Sequence, residues 1–287
     1  MTSKILYIPS FCVLLLTTFC PLLANAQIKY PVVGTYLKKS AQGFAIYDNY
    51  AYLMSDGGRV RQLNLITKTI EKDFLLSCAQ ENPHVNNACF GVEKYQNSTI
   101  PVIYITECRR DKFRCFVESL NDGDPCLIQT IQAKKNNKVS RVYVWVVDPS
   151  EKMLYAITRN EKAVDSIGNK WNTITKYKLP TLKQGSIVYL NEEDVIDSFD
   201  VLFPNVLQGC KIKGKYMYLV TGLHQSQSHR SESKRSIKVL DLKKKKMVKE
   251  IDLTYITMNE PEDIDFYHKS CLLYCGQEGG VYKVKLK

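Results

Sequence analysis

A unit of short strands recurs five times along this chain, and that recurrence constrains the fold more than any other feature. In each unit a turn-flanked strand is followed by a second that reads aromatic-aliphatic, then by a third and usually a fourth. A period of about 45–65 residues with four short strands is how a β-propeller looks in sequence. The first unit spans segments 42–48, 50–54, 60–65 and 69–76. The second has 87–91, 101–108, 113–120 and 126–132. The third has 142–148, 153–158, 172–179 and 186–190, and the fourth has 208–214, 216–221, 236–242 and 247–253. The fifth, 262–267, 270–276 and 280–286, ends after three strands. Residues 28–37, with Val32, Val33, Thr35 and Tyr36, read as a strand without a unit of its own. We expect them to supply the missing outer strand, which removes an exposed edge and fastens the chain ends together. The expectation is an all-β, five-bladed propeller, or six-bladed if the long third or fourth unit hides a degenerate blade.

Composition agrees with this. The chain holds 18 Tyr, helical periodicity is weak, and Val, Ile, Thr and Tyr sit in short runs between Gly, Asn, Asp and Lys turns. No Pro- or Ser-rich linker divides residues 27–287, which read as one domain.

Residues 1–26 read as a signal peptide. Lys4 gives a positive start, residues 5–23 are mostly apolar, and Ala24-Asn25-Ala26 is a small-x-small cleavage site. The mature chain is then exported, periplasmic or extracellular, without a membrane span after cleavage. Export permits disulfides among Cys78, Cys89, Cys108, Cys115, Cys126, Cys210, Cys271 and Cys275. Cys108 and Cys115 close a hairpin loop and either bridge it or stay free. Cys271 and Cys275 lie four apart on one strand, about 13 Å, too far to bond. Cys89 and Cys210 read as small core residues. No Cys-x-x-Cys or His-rich spacing supports zinc.

Aligned on the turns at Asp48, Glu93, Asp148, Gly214 and His268, the inner strands carry Gln42, Asn87, Val142, Gln208 and Glu262 at one position near their starts. Four of these are polar, and Arg141 beside Val142 can reach the same space. Such residues line the mouth of a propeller's channel, where ligands bind, or else cap strand ends and fill the channel. Loops on the same face add Arg109, Arg110 and Arg114 in the second unit and Arg230, Lys234 and Arg235 in the fourth. A basic rim of this kind attracts an anionic ligand, though charged loops also serve solubility alone. The net charge of +11 does not decide the matter, because residues 243–246 read as a turn on the opposite face. Nucleic acid is not expected as a partner.

A catalytic reading has less support. Ca²⁺ accepts oxygens such as those of Glu262, Asn87, Gln208, Glu260 or Asp263, but few are carboxylates. A glycosidase needs two carboxyl groups roughly 5–9.5 Å apart, and only Glu262 is well placed. No Gly-x-Ser-x-Gly occurs, and His84, near Asn86 and Asn87, reads as a loop residue rather than a base.

The segments Gln42-Gly43-Phe44-Ala45-Ile46-Tyr47-Asp48, His84-Val85-Asn86-Asn87-Ala88-Cys89-Phe90-Gly91 and Glu260-Pro261-Glu262-Asp263-Ile264 resemble exported bacterial propellers described as TolB-like or six-bladed-propeller-like. Phe203-Pro204-Asn205 leading into Gln208-Gly209 fits the same pattern. The resemblance implies an exported propeller and little about activity. A fainter likeness to calcium-dependent lactonases rests on Glu262 and Asn87 alone. The expected function is therefore a monomeric binding or scaffold protein that recognises an anionic glycan, a peptide or an envelope partner at the channel mouth. The alternative is a metal-dependent hydrolase or lactonase centred on Glu262.

Overall fold

In the computed structural model, residues 29–30, 41–109, 112–164, 170–203, 206–224, 226, 234–254, 256–276 and 280–286 are described. The signal peptide expected over residues 1–26 lies outside them, as do Arg110 and Arg230 and most of the segment 28–37.

Five antiparallel blades form the fold. Blade 1 comprises Ala41–Tyr47, Tyr50–Ser55, Arg59–Asn64 and Ile70–Leu75. Blade 2 comprises Val85–Phe90, Ile103–Glu107, Cys115–Ser119 and Cys126–Lys135. Blade 3 comprises Val142–Asp148, Met153–Val164, Lys170–Lys178 and Val195–Leu202. Blade 4 comprises Leu207–Lys213, Tyr216–Thr221, Ser236–Asp241 and Lys246–Asp252. Blade 5 has Pro261–Tyr267, Ser270–Cys275 and Val281–Val284, and takes its fourth strand from Lys29–Tyr30, which pairs with Tyr282 and Val281. The ring closes by the N-terminal strand, as expected from the unpaired third strand of the last unit. Each inner strand packs against the inner strands of the two blades beside it, so the five surround one axis.

The aromatic residues of the second strands fall in register. Tyr52, Tyr104, Tyr155 and Tyr218 stand opposite Ala45, Cys89, Val146 and Lys211, and Leu272 takes the place in blade 5 opposite Asp265. Their rings fill the wedges between blades, where spacing widens away from the axis. Tyr52 packs edge-on to Phe90 at 5.1 Å and Tyr218 edge-on to Phe266 at 4.9 Å. Each such pair adds roughly 0.5–1.5 kcal/mol to the area it buries. Outer strands alternate instead, as in Ile70–Leu75, because only one of their faces meets a neighbouring blade.

The third unit differs from expectation. The segment near 186–190 is not the outer strand of blade 3. Ile187–Leu190 crosses over and pairs in parallel with Thr130–Ala133 at the edge of blade 2, and Val195–Leu202 takes the outer place in blade 3. Both segments alternate, so the pattern cannot say which edge each one joins. Gln129 decides it by donating from Nε2 to the Gly185 carbonyl at 2.9 Å and the Thr181 carbonyl at 3.2 Å, pinning the crossover to blade 2.

All eight cysteines among the described residues are free. Cys108 and Cys115 do not bridge: Cys115 is paired opposite Thr106 and fully buried, whereas Cys108 lies at the loop end, half-buried. Cys89 and Cys210 are fully buried.

Candidate functional site at the channel mouth

Every inner strand carries a register break just after its start. The breaks fall between Ala41 and Phe44, Val85 and Asn87, Val142 and Val144, Leu207 and Cys210, and Pro261 and Asp263. Each inserts one residue more than the second strand opposes. A bulge leaves the extra residue out of the ladder and re-aims its side chain. Repeated around the axis, the bulges set Gln42, Asn86, Tyr143, Gln208 and Glu262 at corresponding positions around the mouth.

This corrects the turn-based alignment in two blades. Asn87 and Val142 are not at that level; their neighbours Asn86 and Tyr143 are. Blades 1, 4 and 5 turn after the inner strand through two residues, at Asp48–Asn49, Gly214–Lys215 and His268–Lys269, whereas blades 2 and 3 use longer loops. Counting back from those longer loops lands one residue late in blade 2 and one residue early in blade 3. Asn87 lies deeper and is committed to the scaffold. Its Nδ2 donates to the Trp145 carbonyl at 2.8 Å and its Oδ1 accepts the Cys210 N–H at 2.7 Å. Val142 is fully buried and Arg141 is exposed beside it.

Below the mouth, polar side chains on the axis join blades that are far apart in sequence. Asp263 Oδ2 accepts the N–H groups of Phe44 at 2.8 Å and Ala88 at 3.1 Å, and Oδ1 accepts that of Ile264 at 2.8 Å. One carboxyl thereby ties blades 5, 1 and 2. Full burial pushes its pKa up, while the three N–H donors oppose that shift. At this depth the channel is a hydrogen-bonded core.

The mouth itself is different. Glu262 is only 1% exposed, and its Oε1 has no hydrogen-bond partner among the described residues. Its carboxyl lies against bare backbone at Gly276, where a Cβ would overlap Oε1. Burial, and then the neighbouring Glu260 carboxylate, hold its proton well above the usual carboxylate range; His84 pulls the other way. Glu260 is also raised, chiefly by burial, and accepts a short hydrogen bond from Gln208 Nε2. Gln208 Nε2 also donates to the Gly222 carbonyl at 3.0 Å. Gln42 is buried.

Asp56, which the sequence did not flag, completes the cluster with His84 and Cys108. Asp56, on the loop between the second and third strands of blade 1, lies with Oδ1 2.9 Å from Nδ1 of His84, whose side chain is 41% exposed. His84 precedes the inner strand of blade 2, and Cys108 follows that blade's second strand. The Cys108 N–H donates to the His84 carbonyl at 3.1 Å. The hydrogen-bonded Asp56 carboxylate first, and then the neighbouring Cys108 side chain, push the imidazole up to about 10. The legible signal was position: all three residues stand at strand ends on the mouth face.

The basic rim is largely engaged in structure. Arg114 pairs with the fully buried Glu107 at 2.6 Å and with Glu81 at 2.5 Å, and Arg109 donates to the Asn82 carbonyl. Lys234 pairs with Glu250 at 3.0 Å. Arg235 is not on a rim at all: it is buried and donates to the carbonyls of Thr257 and Leu223. Two clefts lie away from the mouth, on the opposite side of the disc. One of about 560 Å³ opens between blades 3 and 4 beside Asp148, Tyr155 and Lys215, and one of about 320 Å³ opens between blades 1 and 2 beside Tyr52 and Phe74. Volume favours those clefts. The shifted acids and the unpartnered carboxyl oxygen favour the mouth, and chemistry outweighs size in locating a site.

No protein-family model and no curated protein matches the chain. Among solved structures, it is similar to a glutaminyl cyclase of Myxococcus xanthus, at 12% identity and a TM-score of 0.54, over 90% of this chain and 94% of the other. That likeness shows the fold. Looser matches are a nidogen/laminin complex (TM-score 0.41, 12% identity, 76% of this chain and 81% of the other) and the computationally designed protein Ika8 (TM-score 0.37, 8% identity, 86% and 96%). The TolB-like resemblance has no counterpart among these matches.

Proposed function

We propose that this chain is an exported propeller that binds a polar ligand at its channel mouth: a glycan, or an end or side chain of a peptide or envelope protein. The observation that carries the reading is Glu262. A buried acid with an oxygen left without a partner is costly, about 1–3 kcal/mol for an unmade hydrogen bond. A ligand that supplies the missing donor recovers that cost. Gln208 commits both Nε2 protons to Gly222 and Glu260, which fixes its amide and leaves Oε1 as an acceptor for the ligand, and Glu260 adds a second carboxyl beside it. Binding at such a site exchanges water for fixed partners, so its selectivity comes from hydrogen-bond geometry rather than area.

Glycan and peptide arrays probed with the purified chain test this. A specific hit should weaken at least about tenfold in Gln208→Ala and in Glu262→Gln, since one buried hydrogen bond amounts to about 1.4 kcal/mol or more. Hits unaffected by either substitution overturn the reading.

The second reading, hydrolysis centred on Glu262, is favoured by the two acids with raised pKa values side by side. A solved propeller of similar shape is, by name, a cyclase, which agrees with chemistry at such a mouth without assigning any here. Among the described residues no three His, Cys, Asp or Glu side chains are grouped to hold a metal ion. The metal-dependent version of this reading predicts a rise in melting temperature with Ca²⁺ that Glu262→Gln abolishes.

A further inference from the structure

Two cysteines among the described residues are reached by solvent, Cys108 at the mouth and Cys126 on an outer strand; the other six are buried. Cys126 opens the outer strand of blade 2, opposite Ser119. Cys108 stands in a constellation. Val85 and Glu107 form the last ladder pair at the mouth end of blade 2. His84 and Cys108 are the next residues along, joined by the Cys108 N–H to His84 carbonyl bond. Opposed residues of an antiparallel pair project to the same side with Cβ atoms about 5 Å apart, which brings a thiol and an imidazole into reach. Asp56, from the neighbouring blade, holds Nδ1 at 2.9 Å. That leaves Nε2 as the nitrogen for the sulfur.

The loop carrying Cys108 is fastened from both ends. Arg109 holds the Asn82 carbonyl, the Glu107 N–H donates to the Arg114 carbonyl at 2.8 Å, and the Arg114 side chain grips Glu107 and Glu81. A nucleophile needs this kind of fixed backbone to keep its geometry with the base. The charges facing the ring are Asp56, Cys108 and, across the mouth, Glu260 and Glu262.

We propose that Asp56, His84 and Cys108 form a thiol-based acyl-transfer site that acts on an ester or amide held at the channel mouth. This deepens the reading of the mouth as a ligand site and rests on it. In the first step the Cys108 sulfur, its proton passed to His84, attacks the substrate carbonyl carbon. The C–S bond forms, the acyl–oxygen or acyl–nitrogen bond breaks, and the leaving group takes the proton from His84. In the second step water attacks the thioester and gives a proton to His84. The C–S bond breaks, and the sulfur regains its proton from the ring. Asp56 stays ionised and orients the imidazole throughout.

The test uses the reduced chain carrying Cys126→Ser, so that Cys108 is the accessible thiol. Iodoacetamide alkylation of Cys108 is followed by peptide mass mapping from pH 5 to 9. An ordinary thiol titrates near 8.5 and is only a few per cent thiolate at pH 7. At pH 7 His84→Gln and Asp56→Asn should each slow alkylation of Cys108 at least about tenfold. With p-nitrophenyl acetate as probe, an acetyl group should appear on Cys108 and be absent in His84→Gln. Alkylation rates left unchanged by both substitutions, or no acetyl group on Cys108 before either is made, overturn the proposal; the acetylation result alone suffices if a variant fails to fold. If array binding is still lost in Gln208→Ala while Cys108 behaves as an ordinary thiol, the binding reading stands and the catalytic one falls. A reactive, acetylated Cys108 with array hits indifferent to Gln208→Ala overturns the binding reading instead.

Discussion

The Lys211 ammonium lies 2.6 Å from Asp265 Oδ2 inside the channel, and that same oxygen accepts the Ile46 N–H at 2.8 Å. One carboxylate therefore joins the inner strands of blades 5, 4 and 1. Burial pulls the Lys211 pKa down, but the adjacent Asp265 outweighs it and the net shift is upward. Breaking one side of a buried pair strands the other charge, at about 3–5 kcal/mol. Lys211→Met and Asp265→Asn should each cost about that much in denaturant unfolding, and the double Lys211→Met/Asp265→Asn variant clearly less than their sum. Additive costs would mean that the pair does not couple the blades.

Glu262 should give the chain a stability that depends on pH. Its pKa is raised in the folded state by burial and by Glu260. Between the ordinary value of about 4.3 and the raised one, the folded chain keeps a proton that the unfolded chain has released. Stability contributed by this proton is present at low pH and lost as pH rises through that window, by at most about 1.4 kcal/mol per pH unit. Glu262→Gln has no proton to lose. Its melting temperature should fall less between pH 5 and 7.5 than that of the wild type, and identical slopes would refute the assignment.

Gly209 lets blades 4 and 5 approach at the mouth. A Cβ there would lie 2.5 Å from the Glu262 carbonyl oxygen and 2.8 Å from the Asp263 Cα, backbone atoms that cannot turn aside. At Gly43, in the matching stretch of blade 1, the nearest atom is a Val85 side-chain carbon at 3.1 Å. Gly209→Ala should therefore destabilise by at least about 1–3 kcal/mol, and Gly43→Ala by less. Equal losses in thermal melts would count against the close approach.

The site shows where reading the chain stops. That Glu262 and Gln208 reach the mouth was legible, because both precede two-residue turns that keep the count. Asn86 and Tyr143 were not, because the longer loops after the inner strands of blades 2 and 3 put the count one residue off, and a slip of one residue moves a side chain to another face. Cys108 read as either bridged to Cys115 or free, because the loop joins them. The actual ladder sets Cys115 opposite Thr106 instead.

By itself the sequence determined the five-fold recurrence, the tyrosine row on the second strands and the need for an N-terminal strand to finish blade 5. These are local patterns, set by strand periodicity and by turn residues a few positions away. The tertiary structure alone decided that Asp56, His84, Cys108, Glu260 and Glu262 share one opening. Their proximity depends on the bulges and on ring closure, which bring together the ends of blades 1, 2 and 5, and no short-range pattern encodes that meeting.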